Sequence, residues 1–375
     1  MKIVHLFSVP NQILSNYIQM IDNNEDLYQK NEHVFCISDR VQNDIFNNSN
    51  NAFNNINTKT ISLHEKEKEI IKSVLHKIRS TWQFYLMIRK SNKVIFHSLP
   101  PVSIQVLMKI LPNDKRKIHW AIFGGDLYQY EDRNRNMNSK IKEYIRKVFI
   151  KKIDYVHTTM EYNQLKQWYK TSAKLSPGSY PLLVDFSVLN ELKNARKNNH
   201  ITKIMVGNSA CPTNNHIEIF NKLSEIKHKN FEVIVPLSYS VTDKGYFNHV
   251  INEGEKMLGE KFIPIFEYMN PEEYLEFINQ IDIVIMNHKR QRALGILLPL
   301  IYLGKKVYLN SYTSIGKYLT EDMGCILYKT EDIQINNLDN LFVVEPEVEI
   351  LNAKKMKSAF SEERFISGWK KAFQN

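Results

Sequence analysis

The sequence is short of cysteine and of long apolar runs, and each shortage argues against a class of protein. Cys36, Cys211 and Cys325 are the only cysteines in 375 residues, and no pair has CxxC spacing. This argues against a disulfide framework or a structural zinc site and fits a reducing cytoplasm. No uninterrupted apolar run approaches the ~20 residues that a membrane-spanning helix needs.

Several functional motifs are also missing. The start, MKIVHLFSVPNQ, has too short an apolar core for a signal peptide and no small-residue cleavage site, so it predicts a first strand. Zinc-finger spacing, RNP-like motifs and heptad basic regions are absent, which makes nucleic acid the weakest candidate partner. Neither GxGxxG nor a P-loop occurs, and NAD and ATP are therefore not indicated.

Positive charge, by contrast, is in excess. The net charge of +10 and the pI of about 9.2 suit nucleic acid, anionic lipid or a phosphorylated ligand. Segments 64–93 and 139–154 mix Lys and Arg with apolar residues at helical spacing. Each segment is either a core-packing helix with a solvated basic face or a surface that binds anionic lipid.

The length and the order of the predicted elements indicate two α/β domains. Single cores stop growing at about 250–300 residues, and this chain has 375. Continuous apolar runs, typical of strands buried on both faces of a parallel sheet, alternate with amphipathic helices in both halves. These runs are 2–9, 33–38, 93–98, 117–124, 155–159, 203–209, 231–239, 281–288 and 305–310. We expect a first domain over 1–180, a linker over 181–202, a second domain over 203–350, and a C-terminal helix within 351–375 that packs on the first domain.

Local signals add detail to the second half. In NPEEYLEFINQ (270–280), Asn270 can cap a helix, Pro271 suits its first turn, and Glu273 completes a capping box. QRALGILLPLIYLG (291–304) predicts a helix that Pro299 kinks. In the first half, the Asn-rich stretch 46–57 predicts a loop.

Two strand ends in the second half could bind a phosphorylated ligand. In VGNSACPTNNH (206–216), small residues let the backbone approach a ligand, and Thr213 or Asn214 could cap a helix whose N-terminus binds phosphate. In MNHKRQRALG (286–295), Arg290 and its basic neighbours could hold a diphosphate through bidentate hydrogen bonds. The alternatives, a plain strand–helix turn and a solvated basic turn, stay open.

Two strand ends in the first half carry candidate general bases. In FGGDLY (123–128), two glycines before Asp126 predict a tight turn that fixes a carboxylate at the edge of the sheet. His97, in FHSLP, lies on a nearby strand end, and either side chain could take a proton from a substrate. The alternatives are that Asp126 caps the next helix and that His97 is a core histidine with satisfied hydrogen bonds.

Together these motifs resemble one known family. The segments GNSACPTNNHIE, VIVPLSY, EEYLEFINQIDIVIMNHKRQRALGIL, HWAIFGGDLY and FSEERFISGWKKAF are similar to the bacterial TDP-4-acetamido-4,6-dideoxygalactose (TDP-Fuc4NAc):lipid II transferases. This family is also called the 4-alpha-L-fucosyltransferases, or glycosyltransferase family 56. The resemblance covers most of the chain, and it is divergent between the motifs.

The resemblance implies a GT-B fold, in which two Rossmann-like α/β domains with parallel sheets face a central cleft. It implies a metal-independent, cofactor-free enzyme, with the nucleotide-sugar donor on the second domain and the acceptor on the first. Positions that match the family's first-domain motif are Gly124, Asp126, Leu127 and Tyr128, and His97 matches its neighbouring strand end. We expect Asp126 and His97 to be catalytic, and Gly124, Gly125 and Tyr128 to bind the acceptor. Positions that match its donor motifs are Gly207, Asn208, Ser209, Asn214, His216, Pro236, Tyr239, Arg290, Gln291 and Gly295.

The chain departs from the family pattern in both domains. The family's donor loop usually has the sequence GNSGDRSNEH, and Ala210, Cys211, Pro212 and Asn215 replace four of its residues. The first-domain motif, usually Trp-Gly-Ala-Asp, is Phe-Gly-Gly-Asp at 123–126. These changes leave the fold and the diphosphate site intact, and they bear on the identity of the donor sugar and the acceptor.

The predicted reaction moves a Fuc4NAc-like deoxyamino sugar from a dTDP-sugar to an undecaprenyl-diphosphate-linked saccharide, in the synthesis of O-antigen (lipopolysaccharide) or enterobacterial common antigen. Asp126 would act as base if the reaction inverts the anomeric centre, and would position the acceptor if it retains configuration. We expect a cytoplasmic enzyme, peripheral on the anionic inner face of the bacterial inner membrane, with no nucleic-acid partner. The alternatives are a non-catalytic nucleotide-sugar-binding or membrane-docking module and a GT-B-like nucleotide-sugar epimerase.

Overall fold

The computed structural model describes most of the chain as two compact units. The described residues are 1–7, 12–38, 57–61, 70–110, 116–180, 185–195, 201–226, 228–239, 241, 243–289, 294–333, 335–343 and 345–375. Unit 1 comprises Met1–Leu183 and Glu362–Asn375, and unit 2 comprises Val184–Ser361. Within the described ranges, every strand pairing in either unit is parallel.

Unit 1 is built on a seven-stranded sheet with the order β3-β2-β1-β4-β5-β6-β7. Its strands are β1 Lys2–Phe7, β2 Glu32–Ser38, β3 Asn57–Ile61, β4 Lys93–His97, β5 Lys117–Ala121, β6 Tyr155–His157 and β7 Lys174–Ser176. Its helices are α1 Gln12–Asp22, α2 Glu25–Tyr28, α3 Ile70–Ile88, α4 Val102–Ile110, α5 Gly125–Tyr128, α6 Met137–Ile150, α7 Tyr162–Tyr169 and, at the C-terminus, α15 Glu362–Gln374. A 3₁₀ turn follows α5 at Gln129–Asp132.

The two faces of the unit 1 sheet differ in chemistry. Side chains alternate between faces along a strand, and one face is aliphatic and aromatic, with Val4, Phe96 and Trp120 packed against α3, α4 and α6. The other face carries histidines and aromatic rings beneath α1 and α15, where Trp369 stacks on His157 with ring centroids 4.7 Å apart. Both faces are covered, which explains why the strands are continuous apolar runs rather than alternating ones.

Unit 2 is built on a six-stranded sheet with the order β10-β9-β8-β11-β12-β13. Its strands are β8 Thr202–Val206, β9 Phe231–Pro236, β10 Phe262–Ile265, β11 Ile283–Met286, β12 Lys306–Leu309 and β13 Tyr328–Lys329. Its helices are α8 Phe186–Asn194, α9 His216–Ser224, α10 Lys244–Leu258, α11 Pro271–Asn279, α12 Leu294–Tyr302, α13 Ser314–Lys317 and α14 Pro346–Ala359. Short 3₁₀ or π turns occur at Pro212–Asn214, Gly259–Lys261, Tyr318–Asp322, Thr330–Asp332 and Ile335–Phe342.

The structure differs from the predicted segment bounds at two places. Residues 181–202, expected to form a linker, include α8, because Asp185 caps that helix by accepting bonds from the Ser187 and Val188 amides. Residues 351–361, expected to join the first domain, continue α14 of unit 2, where the Asn352 amide group is hydrogen-bonded to Ile326. The capping box of α11 forms as predicted.

The C-terminal helix α15 is held against the sheet of unit 1 by close backbone contacts. The Lys93 ammonium, at the start of β4, donates to the carbonyls of Ala372 and Phe373 at 2.9 and 3.0 Å. The Trp369 indole N–H donates to the Ser179 carbonyl at 2.6 Å. Gly368 lies so close to the chain that a Cβ there would come within 2.6 Å of the Pro177 carbonyl oxygen.

We therefore predict that Gly368→Ala lowers the stability of the protein. The added methyl group must displace backbone, and overpacking of this kind costs about 1–3 kcal/mol, partly offset by the better helix propensity of Ala. The free energy of unfolding of unit 1 should fall by about 1–2 kcal/mol, visible as a lower midpoint in urea or thermal unfolding.

The matched control is Gly295→Ala, also a helical glycine, where no heavy atom of another described part of the chain lies within 4 Å of the added Cβ. Its midpoint should stay unchanged or rise, because Ala replaces Gly in a helix without a clash. If Gly368→Ala were as stable as Gly295→Ala, close packing at Gly368 would not be what holds α15.

Candidate active site

In unit 1, the turn after β5 is organised around the carboxylate of Asp126. Its Oδ2 accepts bonds from the Leu99 amide at 3.0 Å and the Trp120 indole at 2.9 Å. Its Oδ1 accepts bonds from the Phe123 and Leu127 amides at 3.1 and 3.0 Å. With both oxygens occupied and the side chain 5% exposed, Asp126 joins the ends of β4 and β5. This arrangement is typical of a positioning carboxylate, and Asp126 is not the N-cap of α5, a place taken by Gly124.

The electrostatics of Asp126 reflect two opposed effects. Burial raises the pKa of its carboxyl group, while the bonds from Trp120, Leu99 and Phe123 lower that pKa. Ser98, which also bonds to this carboxylate, has a φ of 75°, a left-handed conformation that non-glycine residues rarely adopt. Backbone strain of this kind clusters at functional sites, and here it lies at the end of β4.

The other residues predicted for unit 1 have distinct environments. Gly124 has a φ of 80°, which requires glycine, whereas Gly125 is exposed with open space around its Cα. The Tyr128 ring packs edge-on against Trp168 with centroids 5.6 Å apart. His97 is fully buried, with both ring nitrogens in hydrogen bonds, which favours the core-histidine interpretation over a free base.

Sequence reasoning missed a second buried carboxylate at this edge, that of Glu161 after β6. Its side chain is 5% exposed and accepts a hydrogen bond from the Thr158 hydroxyl. Burial raises the pKa of Glu161, and the nearby charge of Asp126 raises it further. The Thr-x-x-Glu spacing from Thr158 was the available sequence signal, although that spacing is also typical of a helix start.

In unit 2, the loop after β8 is braced by the amide of Asn214. Its Nδ2 donates to the Ser209 and Cys211 carbonyls at 3.0 and 3.1 Å and to the Ser209 hydroxyl at 3.0 Å. Its Oδ1 accepts from the Asn208 amide at 3.0 Å. The prediction that Thr213 or Asn214 could cap α9 was wrong, because Asn215 holds the N-cap position without a side-chain cap bond and the buried Asn214 amide bonds within the loop.

The same loop contacts a histidine that sequence reasoning did not select. The His288 Nε2, just after β11, lies 2.7 Å from the Asn214 Oδ1 and 3.1 Å from the Asn208 Oδ1. Both oxygens are acceptors, so Nε2 carries the proton and donates to them. His288 thus joins the two strand ends, β8 and β11, that were predicted to bind the phosphorylated ligand.

The backbone of Gly207 lies directly against the ring of His216. Gly207 has a φ of 68°, and a Cβ there would lie 2.4 Å from the His216 Nε2. The His216 Nδ1 pairs with the Tyr246 hydroxyl at 3.0 Å, while its Nε2 is buried without a partner in the described structure. Burial lowers the pKa of His216 to about 3, so the ring is neutral.

The remaining predicted donor residues lie at the same edge of the sheet or outside the described ranges. Pro236 ends β9, and the Tyr239 carbonyl accepts from the Ala210 amide at 3.0 Å, while the Tyr239 ring is 63% exposed. Gly295 is the second residue of α12. Arg290 and Gln291 lie outside the described residues.

Comparison with known proteins decides the class of chemistry. Residues 18–375 match the family of 4-alpha-L-fucosyltransferases, glycosyl transferase group 56. The chain belongs to this family. It is therefore a glycosyltransferase, and membership implies a nucleotide-sugar donor and a glycan acceptor.

Solved structures support the GT-B fold. Sucrose-phosphate synthase from Thermosynechococcus elongatus is 9% identical with a TM-score of 0.66, covering 100% of this chain and 98% of that chain. WaaG, a glycosyltransferase involved in lipopolysaccharide biosynthesis, is 11% identical with a TM-score of 0.56, covering 99% and 98%. UDP-GlcNAc 2-epimerase from Neisseria meningitidis bound to UDP-GlcNAc is 14% identical with a TM-score of 0.56, covering 100% and 98%. At these identities the likeness concerns the fold alone, and family membership is what identifies the chain as a transferase.

We predict that Asp126→Asn destabilises unit 1 as well as lowering its activity. An amide nitrogen in place of either carboxylate oxygen would face two N–H donors, and each buried donor left unpaired costs about 1–3 kcal/mol. The free energy of unfolding should fall by about 2–4 kcal/mol, measured by urea denaturation.

Asp132→Asn, in the exposed turn after α5, is the matched control and should leave the unfolding midpoint unchanged. An Asp126→Asn protein with wild-type stability and almost no transfer would contradict the positioning role. It would favour Asp126 as the general base instead.

Proposed function

We propose that the protein transfers a Fuc4NAc-like deoxyamino sugar from a dTDP-sugar to an undecaprenyl-diphosphate-linked saccharide, in O-antigen or enterobacterial common antigen synthesis. Membership in the fucosyltransferase family carries the proposal. In unit 2, hydrogen bonds of Asn214 brace the loop at Gly207–His216 at the carboxyl edge of a parallel sheet, where such folds bind nucleotides. In unit 1, Asp126 and Glu161 organise the corresponding edge for the acceptor.

Within this proposal, the residues assigned to the nucleotide-sugar site have different roles. Asn208, Ser209, Asn214 and His216 keep the loop in shape, and Gly207 lets the backbone approach the diphosphate. The exposed ring of Tyr239 can stack on the nucleobase, and Pro236 fixes the strand end beside it. Arg290, Gln291 and Gly295 are assigned to the diphosphate turn, where a guanidinium would stabilise the charge that develops on the leaving group.

Titration calorimetry with dTDP, UDP and GDP tests the donor, and we predict that dTDP binds most tightly. Tyr239→Ala should weaken dTDP binding by about 3- to 10-fold, as expected for loss of one stacking contact. Tyr144→Ala is the control, because Tyr144 is equally exposed at 63% but belongs to unit 1.

The absence of binding to all three nucleotides would contradict the donor proposal. Transfer itself is followed by mass spectrometry of a lipid-linked saccharide incubated with the dTDP-sugar. Conversion of the nucleotide sugar without any acceptor would indicate the epimerase alternative, and binding without any conversion would indicate the non-catalytic module.

We also propose that unit 1 docks on anionic lipid through the face formed by α3, α4 and α6. On α3, Ile78, Trp82 and Leu86 recur every four residues and are 60%, 57% and 42% exposed. On α6, Met137, Ile141 and Tyr144 form a second exposed apolar stripe. These helices flank α4 on either side, and exposed apolar stripes of this kind are typical of an interaction surface.

Charge favours lipid as the partner of this face. Its exposed basic side chains are Arg79, Arg89, Lys90, Lys109, Lys140, Lys142, Lys147 and Lys151. Glu143 is the only acidic residue in the three helices, and it pairs with Arg146 at 2.5 Å. Apolar side chains among many cations match an anionic membrane surface. No helix in the described ranges has the length and apolarity to cross a bilayer.

Co-sedimentation with vesicles tests the docking face. Binding should rise with the phosphatidylglycerol fraction and fall with salt. Trp82→Ser combined with Ile141→Ser should weaken binding by about tenfold or more, because burial of each apolar side chain contributes on the order of 1 kcal/mol. Tyr312→Ser, which removes an exposed ring of unit 2, is the control. Salt-insensitive binding, or an equal loss in the control, would contradict the docking proposal. It would indicate that the basic faces of these helices only contact solvent.

A further inference from the structure

One face of the unit 1 sheet contains five buried histidines that the proposed function does not yet use. They are His5, His33, His97, His119 and His157, each at most 3% exposed. Strand register places them on one face, because Phe7 pairs with His97 and Ala121 with His157. In the described ranges, no group of His, Cys, Asp or Glu side chains has an arrangement that could hold a metal ion.

Three of these histidines form a continuous hydrogen-bonded chain that ends at Tyr180. The His97 Nδ1 is bonded to the Tyr180 hydroxyl, and the His97 Nε2 lies 3.0 Å from the His5 Nδ1. The His5 Nε2 lies 2.9 Å from the His33 Nδ1. The chain ends where the His33 Nε2 lies 3.1 Å from the carbonyl oxygen of Leu27.

The final acceptor sets the direction of every proton in this chain. A carbonyl oxygen can only accept, so the His33 Nε2 carries a proton, and in a neutral ring its Nδ1 must then accept. The His5 Nε2 therefore donates to His33, the His97 Nε2 donates to His5, and the Tyr180 hydroxyl donates to the His97 Nδ1. All three rings adopt the same Nε2–H tautomer.

The surroundings keep the three rings neutral. Burial lowers the pKa of His5 and His97 well below the usual range and that of His33 to about 4. The charged and ionisable groups near the three rings are Lys93, the N-terminal ammonium, His119, His157 and the hydroxyl of Tyr17. Among the described residues, no carboxylate bonds to any of the three rings to favour an imidazolium. The direction set by the Leu27 carbonyl is therefore the neutral-pH state.

Tyr180 lies just beyond β7, at the carboxyl edge of the sheet that also holds Asp126. The residue as a whole is partly exposed, and its ring stacks on Phe123 with centroids 4.7 Å apart. Because its single hydroxyl proton is committed to His97, the oxygen can offer only lone pairs to any further partner. Such an atom accepts a hydrogen bond and does not donate one.

We propose that Tyr180 accepts a hydrogen bond from a hydroxyl group of the acceptor glycan, and that His97, His5 and His33 are positioning residues that keep its proton pointing inward. The proposal rests on the proposed function, since it places the acceptor at this edge. A hydroxyl that donates to Tyr180 keeps its own oxygen lone pairs free, as a nucleophile in sugar transfer requires.

His33 is at the far end of the hydrogen-bonded chain from Tyr180. Substitutions there distinguish an effect on proton direction from an effect on packing. His33→Phe removes the fixed end, so His5 and His97 can adopt either tautomer, and Tyr180 can turn its proton outward. His33→Gln provides one donor and one acceptor and preserves the direction of the chain without an ionisable ring.

We expect His33→Phe to lower kcat/KM for the acceptor by about 5- to 20-fold, the worth of one hydrogen bond, with donor KM unchanged. His33→Gln should stay within about twofold of wild type, and Tyr180→Phe, which removes the hydroxyl itself, should lose about tenfold or more. Equal losses in His33→Phe and His33→Gln, or no loss in Tyr180→Phe, would overturn the proposal.

Nitrogen-15 NMR of the histidine rings gives a readout that does not depend on transfer activity, and its wild-type part does not depend on the stability of any variant. In the wild-type protein, His5, His33 and His97 should all show the Nε2–H tautomer, and His97 should become mixed in His33→Phe. An Nδ1–H tautomer at any of the three in the wild type would overturn the chain direction. A wild-type enzyme that transfers no sugar but shows the expected tautomers would refute the proposed function alone.

Discussion

Both units depend on how the hydrogen-bonding groups of the backbone are paired where the parallel strands end. Beyond the last ladder hydrogen bond, N–H groups at the carboxyl edge have no strand partner, and burying them unpaired costs about 1–3 kcal/mol each. In unit 1, the carboxylate of Asp126 accepts three such donors, the amides of Leu99, Phe123 and Leu127, and also the Trp120 indole N–H. In unit 2, the amide of Asn214 pairs with the Asn208 amide and with carbonyls from the same loop. One buried polar side chain thus gives each sheet edge a fixed shape.

A fixed edge is what glycosyl transfer requires of this fold. The enzyme holds a diphosphate and a hydroxyl group in place, and most of its catalytic contribution comes from positioning and from preorganised dipoles. Gly207 allows close approach in unit 2, while the left-handed Ser98 brings the Leu99 amide to Asp126 in unit 1. The hydrogen-bonded chain of histidines has a similar effect inside unit 1. Its buried hydrogen bonds fix the direction of the Tyr180 hydroxyl proton at the edge of the sheet.

Much of the architecture is predictable because it depends on local pattern. Strands buried on both faces appear as continuous apolar runs, and the α11 start at Asn270 follows from a capping box within four residues. Strands β3, β7, β10 and β13 escaped prediction, and the two shortest, β7 and β13, have only three and two residues. Family resemblance named the fold and the reaction class, which the residues alone left open.

The site chemistry was less predictable because it depends on register between distant strands. Asp126 lies just after the end of a strand as predicted, yet its donors include residues 99, 120, 123 and 127, and only the folded geometry shows that both oxygens are occupied. The link between His5, His33 and His97 likewise spans up to 92 residues. No local spacing encodes such contacts.

The assignment of the nucleotide-sugar donor to unit 2 is tested most directly by hydrogen–deuterium exchange with and without dTDP. We predict that the nucleotide slows exchange in the segments 206–216 and 236–239 of unit 2, where the braced loop and Tyr239 lie, and leaves 97–128 of unit 1 unchanged. Protection confined to 97–128, with none in the unit 2 segments, would contradict the assignment of the donor to unit 2.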